Sequence, residues 1–137
     1  MDHILIDSDV ILDFFFDRVP YSDFAAEVFT LCESEKVKGL TTPVIISNVY
    51  YLLNRTARHQ LVVEKLRQLV SIIDIIKIDK GVVNEALNSK FRDFEDALQN
   101  YAAEHDPTIK IILTRNTKDY RHSSLSVMTP ELYLKSR

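Results

Sequence analysis

His3-Ile4-Leu5-Ile6-Asp7-Ser8-Asp9 opens with a short apolar run that stops abruptly at carboxylates. A run of that length suits a buried β-strand delivering acids at its C-terminal end. Ser8 or Asp9 can then cap a helix carrying Val10, Ile11, Phe14 and Phe15, with Asp13 on its surface. A second run, Ile109-Lys110-Ile111-Ile112-Leu113, is the most strand-like in the chain and ends in Thr114-Arg115-Asn116. In open α/β sheets ligands bind beyond the carboxyl ends of strands, so these two ends are expected to share one site.

The intervening residues alternate between helical and extended patterns. Pro20 breaks the first helix, and Ser22 opens a second carrying Phe24, Ala25, Val28, Phe29 and Cys32. Val37 to Leu40 reads as a strand, with Gly39 as a local irregularity. Pro43 starts a helix with the stripe Ile45, Val49, Leu52 and Leu53, and another runs from about Arg58 to Val70. Ile72 to Ile78 is predicted to be a strand covered on both faces. Helices follow over 80–88 and 93–104. In the second of these, Phe91, Phe94, Leu98, Tyr101 and Ala102 mark the buried face, which leaves Asp93 and Asp96 on the solvated one. A turn at Asp106-Pro107, a closing strand near Ser126 to Met128 and a helix from Pro130 complete the pattern. Such alternation predicts an α/β fold: a three-layer α/β/α arrangement with a central, mostly parallel sheet of four to five strands, over one domain spanning residues 1–137.

Composition narrows the function. The 137 residues are 46% hydrophobic and 27% charged, a globular balance, and two glycines with four prolines leave little room for disorder. A formal net charge of −3 weighs against a sequence-specific DNA binder. It does not exclude a nuclease, because carboxylates holding divalent cations can meet phosphate through the metal. Basic residues are dense at Arg55 to His59 and at Arg115 to His122, where Arg115 and Lys118 are either solvated or in contact with phosphate. The single cysteine, Cys32, excludes an internal disulfide and reads as a buried thiol. His3, His59, His105 and His122 have no metal-binding spacing and are read as non-ligands. The N-terminus lacks a secretory pattern and no run is long enough to span a membrane, so a cytoplasmic protein with no membrane partner is expected.

Four segments carry the chemistry: Asp7-Ser8-Asp9, Asn48, Asp93 to Leu98, and Thr114 to Tyr120. In order and spacing, over nearly the whole chain, they resemble the PIN-domain family of metal-dependent ribonucleases, which includes VapC-like toxins of bacterial toxin–antitoxin pairs. The resemblance implies Asp7 as the first metal ligand, in ILIDSDVILDFF, and Asp96 in FEDALQ as another. It implies a further acid at Asp119 in LTRNTKDY. Two positions that usually carry acids hold Asn48, in VIISNVYYLL, and Asn116. Asn48 lies about 60° from Ile45 at roughly 100° per residue, a flanking position suited to a half-buried group lining a cleft. Asp9, Asp93 and Thr114 are accessory candidates, although Asp9 serves equally well as a helix cap and an Asx-turn is the rival role for Asn116.

Mg²⁺ and Mn²⁺ are the expected cofactors, because hard ions prefer oxygen ligands and clustered carboxylates repel one another without a cation. The resemblance implies an endoribonuclease with an RNA substrate, a separate antitoxin and a homodimer. Two alternatives stand beside it. The asparagines suggest a catalytically weakened PIN-fold module that binds RNA or protein. HILIDSDV and IILTRN also resemble the first two motifs of haloacid-dehalogenase-like phosphatases, but no later acidic pair follows a strand.

Overall fold

The computed structural model describes residues Met1–Arg137. Five strands form one sheet: β1 (His3–Ile6), β2 (Lys38–Thr41), β3 (Asp74–Ile75), β4 (Ile109–Leu113) and β5 (Ser126–Met128). Their spatial order is β3-β2-β1-β4-β5, and every pair is parallel. Seven helices connect them: α1 (Ser8–Phe15), α2 (Tyr21–Glu33), α3 (Pro43–Leu53), α4 (His59–Val70), α5 (Lys80–Leu87), α6 (Phe94–Glu104) and α7 (Pro130–Ser136). A single 3₁₀ turn, Thr117–Tyr120, follows β4.

Alternation along β1 splits the core into two layers. Ile4 and Ile6 pack with α1, α2, α3, α4 and α7, whereas Leu5 joins Leu40, Ala103 and Ile112 on the other face. Ile4, Leu5 and Ile6 are wholly inaccessible, so each side chain contributes about 1.5–3 kcal/mol through burial. Ile109 shares the face of Ile112, three residues on, because the β1–β4 register slips between His3 and Ile4. A further cluster seats α5 against α6 through Val82, Ala86, Leu98 and Ala102.

Two expectations need correction. The segment 72–78 is not a strand covered on both faces; only Asp74 and Ile75 pair, at the edge of the sheet, and both are exposed. Its apolar residues are used outside the ladder, with Ile73 entering the α1–α4 core and Ile76 and Ile78 packing against the α5–α6 cluster. Gly39 is not an irregularity either. It sits in register opposite Ile4, where a Cβ would lie 2.8 Å from both Cys32 Sγ and Ile73 Cγ2. Glycine is there for close approach. Gly39→Val should therefore cost about 1–3 kcal/mol through overpacking, read as a lower denaturant midpoint at unchanged m. Cys32 is buried as expected, and burial pushes its thiol up to about 11.

The central neighbours β1 and β4 end side by side. Asp7 N–H donates to the Leu113 carbonyl at 3.0 Å, extending the ladder one residue past the strand and fixing where the first acid stands.

Candidate active site

Asp7 caps α1, a place the sequence offered to Ser8 or Asp9. Its Oδ1 accepts Ser8 N–H at 2.8 Å, while its Oδ2 lies 3.0 Å from the Thr114 hydroxyl and 3.2 Å from the Tyr120 hydroxyl. Asp7 is 6% exposed, and burial with the nearby Asp9 charge raises its carboxyl to about 6. Asp9 lies one residue into α1 and accepts Arg115 N–H at 2.9 Å. Thr114 Oγ1 is also 3.2 Å from Asp9 Oδ2, so one hydroxyl proton serves two carboxylates. The hydroxyl is oriented in turn by accepting Asn116 N–H at 3.1 Å. Asp9 Oδ1 is buried without a partner.

The second acidic group comes from α6. Asp93 caps this helix by accepting Asp96 N–H at 3.0 Å. Asp96 is not on a solvated face as the helical pattern predicted. It is half-buried, and burial followed by the charges of Asp7, Asp93 and Asp119 raises its carboxyl to about 7. Phe94, expected in the buried stripe, is instead 46% exposed. The packed face of α6 is formed by Ala97, Leu98, Gln99, Asn100, Ala102 and Ala103. In the first turn Phe94 and Glu95 are exposed while Asp96 is half-buried, so period alone misassigns it.

Both raised carboxyls have a consequence for stability. A carboxyl whose folded pKa exceeds its unfolded value is protonated in the fold at a pH where the unfolded chain has ionised it. Stability is therefore retained at acid pH and falls as pH rises from about 4 towards 7. In EDTA the melting temperature should drop by several degrees between pH 5 and pH 7.5, and Asp96→Asn should flatten that drop. A pH-independent melting temperature in the unsubstituted chain would contradict the crowding of these acids.

The remaining candidates line the periphery. Asn48, on α3, is half-buried and donates from Nδ2 to Glu95 Oε2 at 2.7 Å. Its helix is tied to α6 by a buried bond from the Thr42 hydroxyl to Gln99 Oε1. Asn116 is exposed and makes no capping bond with its side chain, so the Asx-turn is not formed. Asp119 is exposed in the 3₁₀ turn, near enough for its charge to act on Asp96.

Asp13 is a further correction, because it is 1% exposed and not on the surface. Arg115 clamps it with Nε at 2.6 Å from Oδ2 and Nη2 at 3.0 Å from Oδ1. Arg115 also lies 4.1 Å over the Tyr21 ring, so it is committed internally and is not a free phosphate contact. Sequence reasoning missed Tyr120 and Glu95. Tyr120 is 1% exposed and its hydroxyl donates to Asp7 Oδ2, and burial with the Asp7 and Asp96 charges holds its phenol well above the ordinary value. Tyr120 directly follows Asp119, and Glu95 directly precedes Asp96; adjacency was the available signal.

The donor set consists entirely of oxygens, and Asp7 accepts at most three bonds where a carboxylate offers about four lone-pair sites. No three His, Cys, Asp or Glu side chains converge tightly enough to form a ready-made cage. With the unpartnered Asp9 Oδ1 and the raised carboxyls, this fits a hard divalent cation held by few carboxylates with water completing its shell. No helix is long and apolar enough to cross a membrane.

Comparison with known proteins bears on the family and the fold. Ribonuclease VapC1 of Aquifex aeolicus (strain VF5) is 27% identical over 135 residues, covering 95% of this chain and 92% of the relative. Among solved structures, a toxin–antitoxin complex from Klebsiella pneumoniae matches with a TM-score of 0.69 at 20% identity, covering 93% of this chain and 97% of that one. FitAcB from Neisseria gonorrhoeae matches with a TM-score of 0.69 at 16% identity, covering 93% and 98%. The Mycobacterium tuberculosis VapC20 structure, described as a sarcin-ricin loop cleaving toxin, matches with a TM-score of 0.61 at 16% identity, covering 80% and 86%. These last likenesses bear on the fold. The PIN domain family model matches residues 3–118, which sets the phosphatase alternative aside: the chain belongs to the PIN domain family.

Proposed function

We propose that this chain is a divalent-metal-dependent endoribonuclease of the VapC kind, the toxin of a toxin–antitoxin pair, acting as one domain over residues 1–137. The observation that carries the reading is the gathering of Asp7, buried at the end of β1 and bonded to Thr114 and Tyr120, with half-buried Asp96, whose carboxyl is raised by burial and then by the Asp7 charge. The likeness to a ribonuclease over 95% of the chain supports it. A separate antitoxin, a homodimer and a cytoplasmic setting belong to the same proposal.

Asp7, Asp96 and Asp119 would hold Mg²⁺ or Mn²⁺. When bound, the ion supplies an activated water for in-line attack and offsets charge on the phosphate. Thr114 and Tyr120 keep the Asp7 carboxylate in one orientation through their hydroxyls. Asp9, pinned by Arg115 N–H, supports Thr114, and Asp93 holds the first turn of α6 so that Asp96 stays half-buried. Asn48 and Asn116 orient water or substrate. Asn48 brings no charge itself, but its bond to Glu95 sets a carboxylate beside it. Attack of water at phosphorus with loss of the 3′ oxygen leaves a 5′-phosphate and a 3′-hydroxyl.

The test is incubation of the purified protein with labelled structured and single-stranded RNAs in Mn²⁺, Mg²⁺ or EDTA. Cutting in either metal and none in EDTA is expected. If nothing is cut and calorimetry detects no Mn²⁺ binding, the chain is a PIN-fold module that binds RNA or protein without catalysis. The two asparagines at usually acidic positions favour that second reading.

A further inference from the structure

Phosphate has to approach a site crowded with Asp7, Asp9, Asp93, Asp96 and Asp119 on a chain whose net charge is −3. Without cations close by, that field repels a polyanion. Arg115, the obvious cation, is engaged with Asp13 and Tyr21. Four others remain. Lys90 and Arg92 lie between α5 and α6, and Lys118 and Arg121 flank Tyr120; all four are exposed. Salt bridges in the chain engage Arg18, Lys38, Arg67, His105, Arg115 and Lys135, and none of these four.

The two segments are joined by Phe91. Its ring centroid is 6.0 Å from that of Tyr120 and 6.2 Å from that of His122. Tyr120 in turn reaches Asp7 with its hydroxyl, so the joint stands one ring away from the first acid. Phe94 lies at the start of α6 between the Asp93 cap and Glu95, and is 46% exposed. Arg92 precedes it by two residues, and exposed aromatic rings combined with unpaired cations are how proteins hold unpaired nucleotides, since every base offers a π-face and only an unpaired base can present it.

Resting on the ribonuclease reading, we infer that Lys90, Arg92, Lys118 and Arg121 form a rim that grips the backbone of single-stranded RNA, with Phe94 stacking a base beside the acidic site. The rim holds the strand through phosphates irrespective of sequence, and Phe94 requires the nucleotide next to the cut to be unpaired. The other basic segment, Arg55 to His59, lies between α3 and α4, where His59 bonds to the Tyr50 hydroxyl and no ring contact joins it to Tyr120.

The experiment measures binding of a fluorescent single-stranded RNA to the Asp7→Asn protein by anisotropy at several salt concentrations. Steady-state cleavage by the otherwise unsubstituted enzyme is measured in parallel. K90Q/R92Q/K118Q/R121Q should weaken binding at least about ten-fold and lower the slope of log Kd against log salt by roughly three. Phe94→Ala should weaken it by roughly ten-fold with the slope unchanged. In cleavage both should act on KM more than on kcat, with Mn²⁺ affinity by calorimetry retained. The control R55Q/R58Q should bind as the parent does. Equal RNA affinity in the quadruple variant and its parent, or a loss confined to R55Q/R58Q, overturns the rim. Full affinity in Phe94→Ala overturns the stacking role. Cleavage that persists while the rim variants behave normally discards the rim and keeps the ribonuclease. RNA binding that depends on the rim, in a protein that cuts nothing, does the reverse.

Discussion

Asp7→Asn is expected to lose RNA cleavage by roughly a thousand-fold, equivalent to ~4 kcal/mol of transition-state stabilisation. Asp7 continues the β1 ladder through its bond to Leu113, so its carboxylate cannot move aside, and a neighbouring acid cannot take its place. Asparagine keeps an oxygen to accept Ser8 N–H, so the α1 cap survives. The Tyr120 and Thr114 hydroxyls would then face an amide nitrogen and have to turn to accept from it. A circular dichroism melt within a few degrees of the parent therefore separates loss of chemistry from loss of fold. Retention of full activity in a well-folded Asp7→Asn protein would remove Asp7 from the site.

Arg115→Ala is expected to give the largest loss of stability among the polar substitutions, about 3 kcal/mol. Asp13, 1% exposed in the parent, would keep one partner, Arg18 Nη1 at 3.3 Å. A buried carboxylate losing its bidentate partner costs more than the pair itself contributes, because the charge can neither resolvate nor find new donors. The loss corresponds to a melting temperature lower by about 10 °C for a chain of this size. The double replacement Asp13→Leu with Arg115→Met should recover most of it, since apolar groups of similar volume can replace a buried ion pair at little cost. A single variant melting within about 2 °C of the parent would show that the clamp contributes little. Cleavage should fall too, because the same loop delivers Arg115 N–H to Asp9 and Thr114 Oγ1 to Asp7.

Where the signals are local, the sequence was legible. Pro43 at the first turn of α3, the β-branched run Ile109 to Leu113, and Pro130 opening α7 all lie where pattern and propensity put them. Each is settled by the residue's own backbone preference or by apolar neighbours within one element. The adjacency of the Asp7 and Thr114 ends also followed from sequence, since two apolar strands ending in polar groups leave few other arrangements in a parallel sheet.

Residues whose surroundings come from far along the chain were misread. Asp13 looked like a surface acid because its partner Arg115 is 102 positions away. Asp96 looked solvated because helical period was counted through Phe94, a residue that the fold leaves exposed. The segment 72–78 looked doubly covered because apolar composition does not say whether a strand is central or at an edge. Tyr120 gave no sign of meeting Asp7, 113 residues earlier. Sequence alone thus determined the elements, their parallel alternation and the strand end that carries the first acid, because those depend on local sterics and apolar patterning. Only the tertiary structure decided which carboxylates are buried together and which cations stay free, because charge pairing and desolvation depend on distances that folding alone creates.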